Sequence, residues 1–202
     1  GNVPDRPPQN DSCKPGFYLG SYDCEILLFG FPAPLEGDVS RDPDCVGLVE
    51  QAVGVFGRLD ALVNAAGISK MVPLADLHGL SAEDFQRIYA VNTIGIFQMA
   101  RAAAPHLKAT GNGAIVNITS QMGHVGAENR TVYCMTKHGM EGLTKAMAID
   151  LAAHGIRVNS IGPTFIETDL TREYLGDPAV RADIVGRIEK RAAELGVSIT
   201  AF

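Results

Sequence analysis

Three short apolar runs, Leu59–Ala65, Ala114–Thr119 and Ile156–Ile161, separated by two long stretches of helical pattern, constrain this chain more than any other feature. Runs of that length read as buried strands, and the chain between consecutive runs is long enough for a crossover helix. Strands alternating with such helices make βαβ units and a parallel sheet. Local signals place the helices. Pro43 suits the first turn of a helix running to about Phe56. Ser81 opens a capping pattern with Glu83 and Asp84 in the first turn, and that helix continues through Asn92 towards Leu107. A third helix spans Val132–Ala153 and stops at Gly155, and a fourth covers Pro178–Leu195. Glu25–Phe31 is one more strand candidate, ahead of a break at Pro32 and Pro34. Residues 1–24 are Pro-rich and irregular, which leaves 25–202 as a single domain.

Bulk properties narrow the partners. With 202 residues, 46% of them hydrophobic and 20% charged, the chain can bury one sizeable core. A net charge of −6 argues against nucleic acid and against an anionic membrane surface as partners. No apolar run approaches the roughly 20 residues of a membrane span, and Gly1–Lys14 lacks the apolar stretch of a secretory signal. Cys13, Cys24, Cys45 and Cys134 show no C-x-x-C spacing, so the expectation is a reduced, cytoplasmic protein. His124 has no second His or Cys at ligand spacing, and no metal is expected.

The chemistry centres on Tyr133 and Lys137. Four residues apart on a helix, they share one face. A phenol ordinarily loses its proton near pH 10, and a neighbouring cation favours the phenolate, making tyrosine usable as an acid and base. Around this pair, four further segments stand in order. Asn64-Ala65-Ala66-Gly67 closes the first strand; Asn92 follows Val91 within a helix. Ile115-Val116-Asn117-Ile118-Thr119-Ser120 ends a strand in a hydroxyl thirteen residues before Tyr133, and Arg157-Val158-Asn159-Ser160-Ile161 leads to Pro163 and Thr168.

These segments resemble the short-chain dehydrogenase/reductase family over about Asp38 to Thr171. The resemblance implies an α/β fold, a Rossmann-like doubly wound parallel sheet in three αβα layers. It also implies an enzyme that uses NAD or NADP to interconvert a secondary alcohol and a ketone. Asn92, Ser120, Tyr133 and Lys137 match the family's catalytic positions. Tyr133 would exchange the proton on oxygen, and Ser120 would hold that oxygen. Lys137 would keep Tyr133 acidic and bind the ribose hydroxyls, and Asn92 would anchor a water relaying protons from Lys137. Asn64, Ala65, Gly67 and Asp38 match the adenosine side of the cofactor groove; Pro163 and Thr168 match the nicotinamide side. Each residue also has a plainer reading: Asp38 and Ser120 as turn or cap residues, Asn92 as an amide bonding a neighbouring loop, Lys137 as an exposed helix charge.

The ends depart from the family pattern. Its Gly-rich turn, T-G-x-x-x-G-x-G, finds its nearest counterpart in Gly16-Phe17-Tyr18-Leu19-Gly20, after a Pro-rich stretch and not after a strand. Between Gly20 and Asp38 the chain is too short for the family's first helix, second strand and second helix. No family-like last strand follows Ile188. Part of the N-terminal βαβ unit and the last strand are therefore expected to be missing. Thr164 stands where the family usually has Gly. Gln121, His124, Glu128 and Asn129 suit a hydroxylated substrate, a sugar or polyol, although they also read as exposed loop residues; a 3-oxoacyl thioester is the other substrate class of similar proteins. The rival to an enzyme is a catalytically silent or truncated relative that serves as an interaction subunit. The family's dimers and tetramers form through two long helices, here about Ser81–Leu107 and Thr131–Ala153. Met140, Leu143, Met147 and Leu151 fit either such an interface or packing on the sheet.

Overall fold

The computed structural model describes residues 35–196, apart from 74, 75, 167, 169, 170, 173 and 174. The strand candidate Glu25–Phe31 and the glycine pair Gly16 and Gly20 lie outside the described residues. Two compact units divide the chain between Thr164 and Phe165.

In the larger unit, three strands form a parallel sheet in the order β1 (Ala61–Asn64), β2 (Gly113–Ile118), β3 (Ile156–Ile161). Helix α1 (Asp42–Phe56) precedes β1, carries Pro43 in its first turn and ends on Gly57 in the left-handed region. Between β1 and β2 run α2 (Ala82–Tyr89) and α3 (Gly95–Ala109), joined without a break by a π-helical stretch, Ala90–Ile94. The expected capping pattern is a full capping box: Asp84 N donates to Ser81 Oγ at 3.3 Å, and Ser81 N donates to Asp84 Oδ2 at 3.0 Å. Helix α4 (Thr131–Ala152) leads into β3 through Gly155, whose φ of +70° is a conformation that disfavours any residue with a Cβ. This is a Rossmann-like α/β fold built of right-sized βαβ units.

Register explains which face is buried. Leu62, Ile115 and Val158 are paired neighbours across the sheet and share one face. They join Leu48, Ile88, Leu107 and Met140 of the helices in one apolar core. Full burial of each such side chain stabilises by about 1.5–3 kcal/mol. The adjacent row, Val63, Val116 and Asn159, points to the opposite face, where Val63 is 61% exposed. The sequence had β1 buried throughout. Instead alternate residues are open because the described helices α1, α3 and α4 all pack on the Leu62 side. Met140 and Met147 are buried, and Leu143 and Leu151 pack against the same core, so these residues belong to sheet packing and not to an outer face.

The smaller unit contributes α5 (Pro178–Leu195), where the sequence placed it. Asp177 caps its start by accepting from Ala179 N at 2.8 Å, and Gly196 ends it at φ +66°.

Candidate active site

Strand ends and one helix assemble the site. Ligands of open α/β sheets lie beyond the carboxyl ends of the strands, and Asn64 and Ser120 stand at that edge. Ser120, at the end of β2, is 7% exposed, and its Oγ accepts from Met122 N at 3.1 Å at the head of a short 3-10 turn. Gly123 in that turn rests directly on α4. A Cβ there would lie 2.9 Å from the Lys137 carbonyl oxygen, so only glycine lets the turn approach the helix that carries Tyr133 and Lys137. The plain reading of Ser120 as a cap holds, and its hydroxyl is near enough to the Tyr133 phenol to favour the phenolate.

Lys137 is not an exposed charge. It is 4% exposed, its Nζ donates to the Ile118 carbonyl at 3.0 Å, and it lies 5.4 Å from the centre of the Tyr133 ring. Burial pushes the ammonium pKa down to about 8, against an opposing pull from the Glu141 carboxylate. Tyr133 behaves differently from the expectation that a nearby cation lowers its pKa. Burial pushes the phenol above its ordinary value, although the Ser120 hydroxyl and the Arg130 charge pull it down. Lys137 sits beside the ring and donates to Ile118, which leaves desolvation as the largest influence on the phenol.

Asn92 is completely buried in the π-helical stretch. Its Oδ1 accepts from Ile68 N at 2.8 Å, and its Nδ2 donates to Ile68 O at 2.9 Å and to Thr136 Oγ1 at 3.0 Å. The amide thus ties the loop after β1 to α4, as the plain reading had it. A water held at Asn92 would have to bond its main chain, since the side chain is committed. Gly67, in the same loop, faces Lys137: a Cβ there would stand 3.7 Å from Nζ and 3.5 Å from Asn92 Oδ1. Asn64 is 6% exposed and donates from Nδ2 to Asn117 Oδ1 at 2.9 Å, so its side chain is engaged inside the protein.

The remaining positions divide. Asp38 builds a turn: its Oδ1 accepts from Ser40 N at 2.9 Å and Ser40 Oγ at 2.7 Å. Pro163 accepts from Gln121 N through its carbonyl at 2.9 Å, joining the loop after β3 to the Ser120 turn, and Thr164 beside it is exposed. Thr168 lies in the smaller unit, where its N donates to Thr171 Oγ1 at 2.9 Å. Among the described residues no three His, Cys, Asp or Glu side chains cluster as a metal site would require, and no helix is long and apolar enough to cross a membrane.

A polar layer under the site escaped the sequence reading. Asn64, Asn117 and Ser160 form one register row across the three strands. Asn117 Nδ2 donates to Thr144 Oγ1 at 2.9 Å. Ser160 Oγ donates to Glu141 Oε2 at 2.9 Å, and Thr119 Oγ1 donates to Glu141 Oε1 at 2.6 Å. The available signal was a polar residue at the same offset in three apolar strands, facing Lys137, Glu141 and Thr144 spaced four and three apart on α4.

The donor set suits a nicotinamide dinucleotide: an ammonium and a phenol at the strand-end edge, with Gly67 setting no side chain against the ammonium. Comparisons with known proteins agree. The family model described as Enoyl-(Acyl carrier protein) reductase matches residues 28–194. A 2-(R)-hydroxypropyl-CoM dehydrogenase of Xanthobacter autotrophicus is 36% identical over 164 residues, 81% of this chain and 65% of that protein. The L-xylulose reductase of Homo sapiens is 36% identical, over 73% of this chain and 62% of that one. The crystal structure of a gluconate 5-dehydrogenase from Burkholderia cenocepacia J2315, in complex with NADP and tartrate, superposes with a TM-score of 0.66 at 33% identity, covering 71% of this chain and 55% of that one. The chain spans between half and two thirds of the length of the curated relatives it matches. By the extent of the family match and the identity to these dehydrogenases, it belongs to the short-chain dehydrogenase/reductase family.

Proposed function

We propose that this protein is an NAD- or NADP-dependent oxidoreductase that interconverts a secondary alcohol and a ketone, with Tyr133 as the acid and base. The observation that carries the reading is the convergence of Ser120, Tyr133 and buried Lys137 at the strand ends. A nicotinamide held beside Tyr133 and Lys137 would supply the hydride chemistry, to the carbonyl carbon in reduction and from the alcohol carbon in oxidation. The protein's part is alignment and proton movement. Ser120 holds the substrate oxygen and favours developing negative charge there. Tyr133, held protonated by its raised pKa, delivers a proton to that oxygen in reduction and recovers it in oxidation. Lys137, with a pKa near 8, stays mostly charged at neutral pH and can exchange a proton there. Asn92 anchors the loop bearing Gly67 against α4. On the cofactor side the reading assigns Asp38, Asn64, Ala65, Gly67, Tyr133, Lys137 and Pro163 in the larger unit; Thr168, in the smaller unit, is assigned by its match to the family pattern alone. For Asn64 the contact falls to the main chain, because its side chain bonds Asn117.

Relatives acting on L-xylulose and on hydroxypropyl-CoM, by their names, support a small hydroxylated or ketonic substrate. The family match spans both units, which supports one dehydrogenase domain over residues 25–202. The reading places the protein in the cytoplasm as a homodimer or homotetramer. Titration of the purified chain with NADH and NADPH, followed by nicotinamide fluorescence, tests the reading. Saturable binding of either is expected. A folded protein that binds neither at millimolar concentration would overturn it.

A further inference from the structure

Glu141 carries an arrangement that the catalytic residues do not explain. It lies one helical turn beyond Lys137 on α4 and is 6% exposed, a rare position for a carboxylate unless it is paired. Both its oxygens are occupied. Oε1 accepts from Thr119, the residue immediately before Ser120, at 2.6 Å; Oε2 accepts from Ser160 of β3 at 2.9 Å. Thr119 Oγ1 also lies 3.1 Å from the Ile161 carbonyl, and Thr119 N donates to that same carbonyl at 2.8 Å. One carboxylate therefore joins α4 to the ends of the two strands that flank the reacting centre. Burial pushes the Glu141 carboxyl up, but hydrogen bonds from Thr119 and Ser160, with the charges of His124 and Lys145, outweigh it and hold the group below its ordinary value. It is ionised at neutral pH.

We propose that Glu141 is a positioning residue for the dehydrogenase site, its carboxylate fixing the Thr119–Ser120 strand end and supplying the counter-charge to Lys137. The proposal rests on the functional reading above for its catalytic consequence, not for its geometry. Lys137 is buried on a helix among few charges: Tyr133 and Glu141 on α4, Arg130 at its start, and His124 on the turn after β2, whose Nε2 stands 3.4 Å from Glu141 Oε1. Lys145 lies one turn past Glu141, and Cys134 adjoins Tyr133. Of these, Glu141 is the one that favours the charged form of Lys137.

Glu141→Gln separates charge from shape. The amide keeps the size and one acceptor, and a hydroxyl of Thr119 or Ser160 can turn to accept from its NH2. Two readouts are needed. The first is the NMR titration of the Lys137 side chain in the cofactor-free protein, assigned by its loss in Lys137→Met. The Gln variant should titrate lower than wild type by roughly half a unit or more. The second is the alkaline limb of the kcat profile, which should move the same way. An unchanged Lys137 titration overturns the proposal whether or not the protein turns over. A protein with no turnover but a shifted titration fails the functional reading and leaves the charge pairing standing. Should the Gln variant not fold, Glu141→Asp keeps the charge but is one methylene too short to hold both hydroxyls. Its Lys137 titration should stay near wild type while kcat falls several-fold with KM little changed, and an Asp variant with wild-type kcat overturns the positioning role.

Discussion

Replacing Lys137 by methionine should make the protein more stable at neutral pH while abolishing its function. The lysine is 4% exposed and its pKa falls from 10.5 to about 8, with burial the dominant cause. Such a fall costs about 3 kcal/mol of stability at pH 7. The sign follows from proton counting. Below pH 8 both folded and unfolded chains carry the proton, and the folded chain pays for keeping it in a dry site. Between pH 8 and 10.5 the unfolded chain binds more protons than the folded one, so wild-type stability rises with pH across that window. Methionine matches the length of the side chain and removes the charge, at the loss of the hydrogen bond to Ile118, worth about 1 kcal/mol. The expected net gain is about 2 kcal/mol at pH 7, or roughly 4–8 °C in Tm. It should shrink through pH 8–10.5 and reverse to a deficit of about 1 kcal/mol above it. Urea denaturation of both proteins at pH 7, 9 and 10.5 measures this. A variant less stable at every pH, by a constant amount, would refute the reasoning, because it would show that the ammonium is not strained by burial.

Tyr133→Phe should abolish turnover while keeping stability within about 1 kcal/mol in urea, since only the polar contact of the phenol with Ser120 is lost. Gly67→Ala meets only ordinary contacts at 3.5 and 3.7 Å, so its urea midpoint should hardly move. NADH or NADPH affinity should nevertheless fall roughly tenfold or more by fluorescence, because the methyl stands in the approach to Lys137. Asn92→Ala strips three hydrogen bonds from a completely buried site and leaves both polar groups of Ile68 unpaired; a loss of about 2–4 kcal/mol is expected in urea denaturation. Gly155→Ala forces a Cβ at φ +70° to within 2.7 Å of the Gly111 carbonyl oxygen, and should cost about 1–3 kcal/mol by the same measurement.

Elements with local signals were legible before the structure. The capping box at Ser81, Pro43 in the first turn of α1 and Gly155 ahead of β3 are each set by residues next to one another in the chain. The pairing of Tyr133 with Lys137 was legible for the same reason, as a four-residue helical spacing. Properties decided by tertiary contact were not. Whether Met140 and Met147 face the sheet or a neighbouring subunit depends on where α4 lies, and periodicity alone fits both. The rise in the Tyr133 pKa comes from burial, which a four-residue helical spacing does not reveal. The row Asn64, Asn117 and Ser160 becomes a layer only once the strand register is known. The π-helical stretch around Asn92 leaves no mark in composition, since Ala90-Val91-Asn92-Thr93-Ile94 fits an ordinary helix equally well.

The most direct test of the central claim is a comparison of wild type and Tyr133→Phe in a screen of sugars, polyols and small secondary alcohols with NAD and NADP, read by nicotinamide absorbance. The account predicts reduction of the cofactor by wild type with at least one alcohol, and none by the phenylalanine variant at equal cofactor occupancy. Equal rates from the two proteins would contradict it, because they would show that the proton passes through some group other than the Tyr133 hydroxyl.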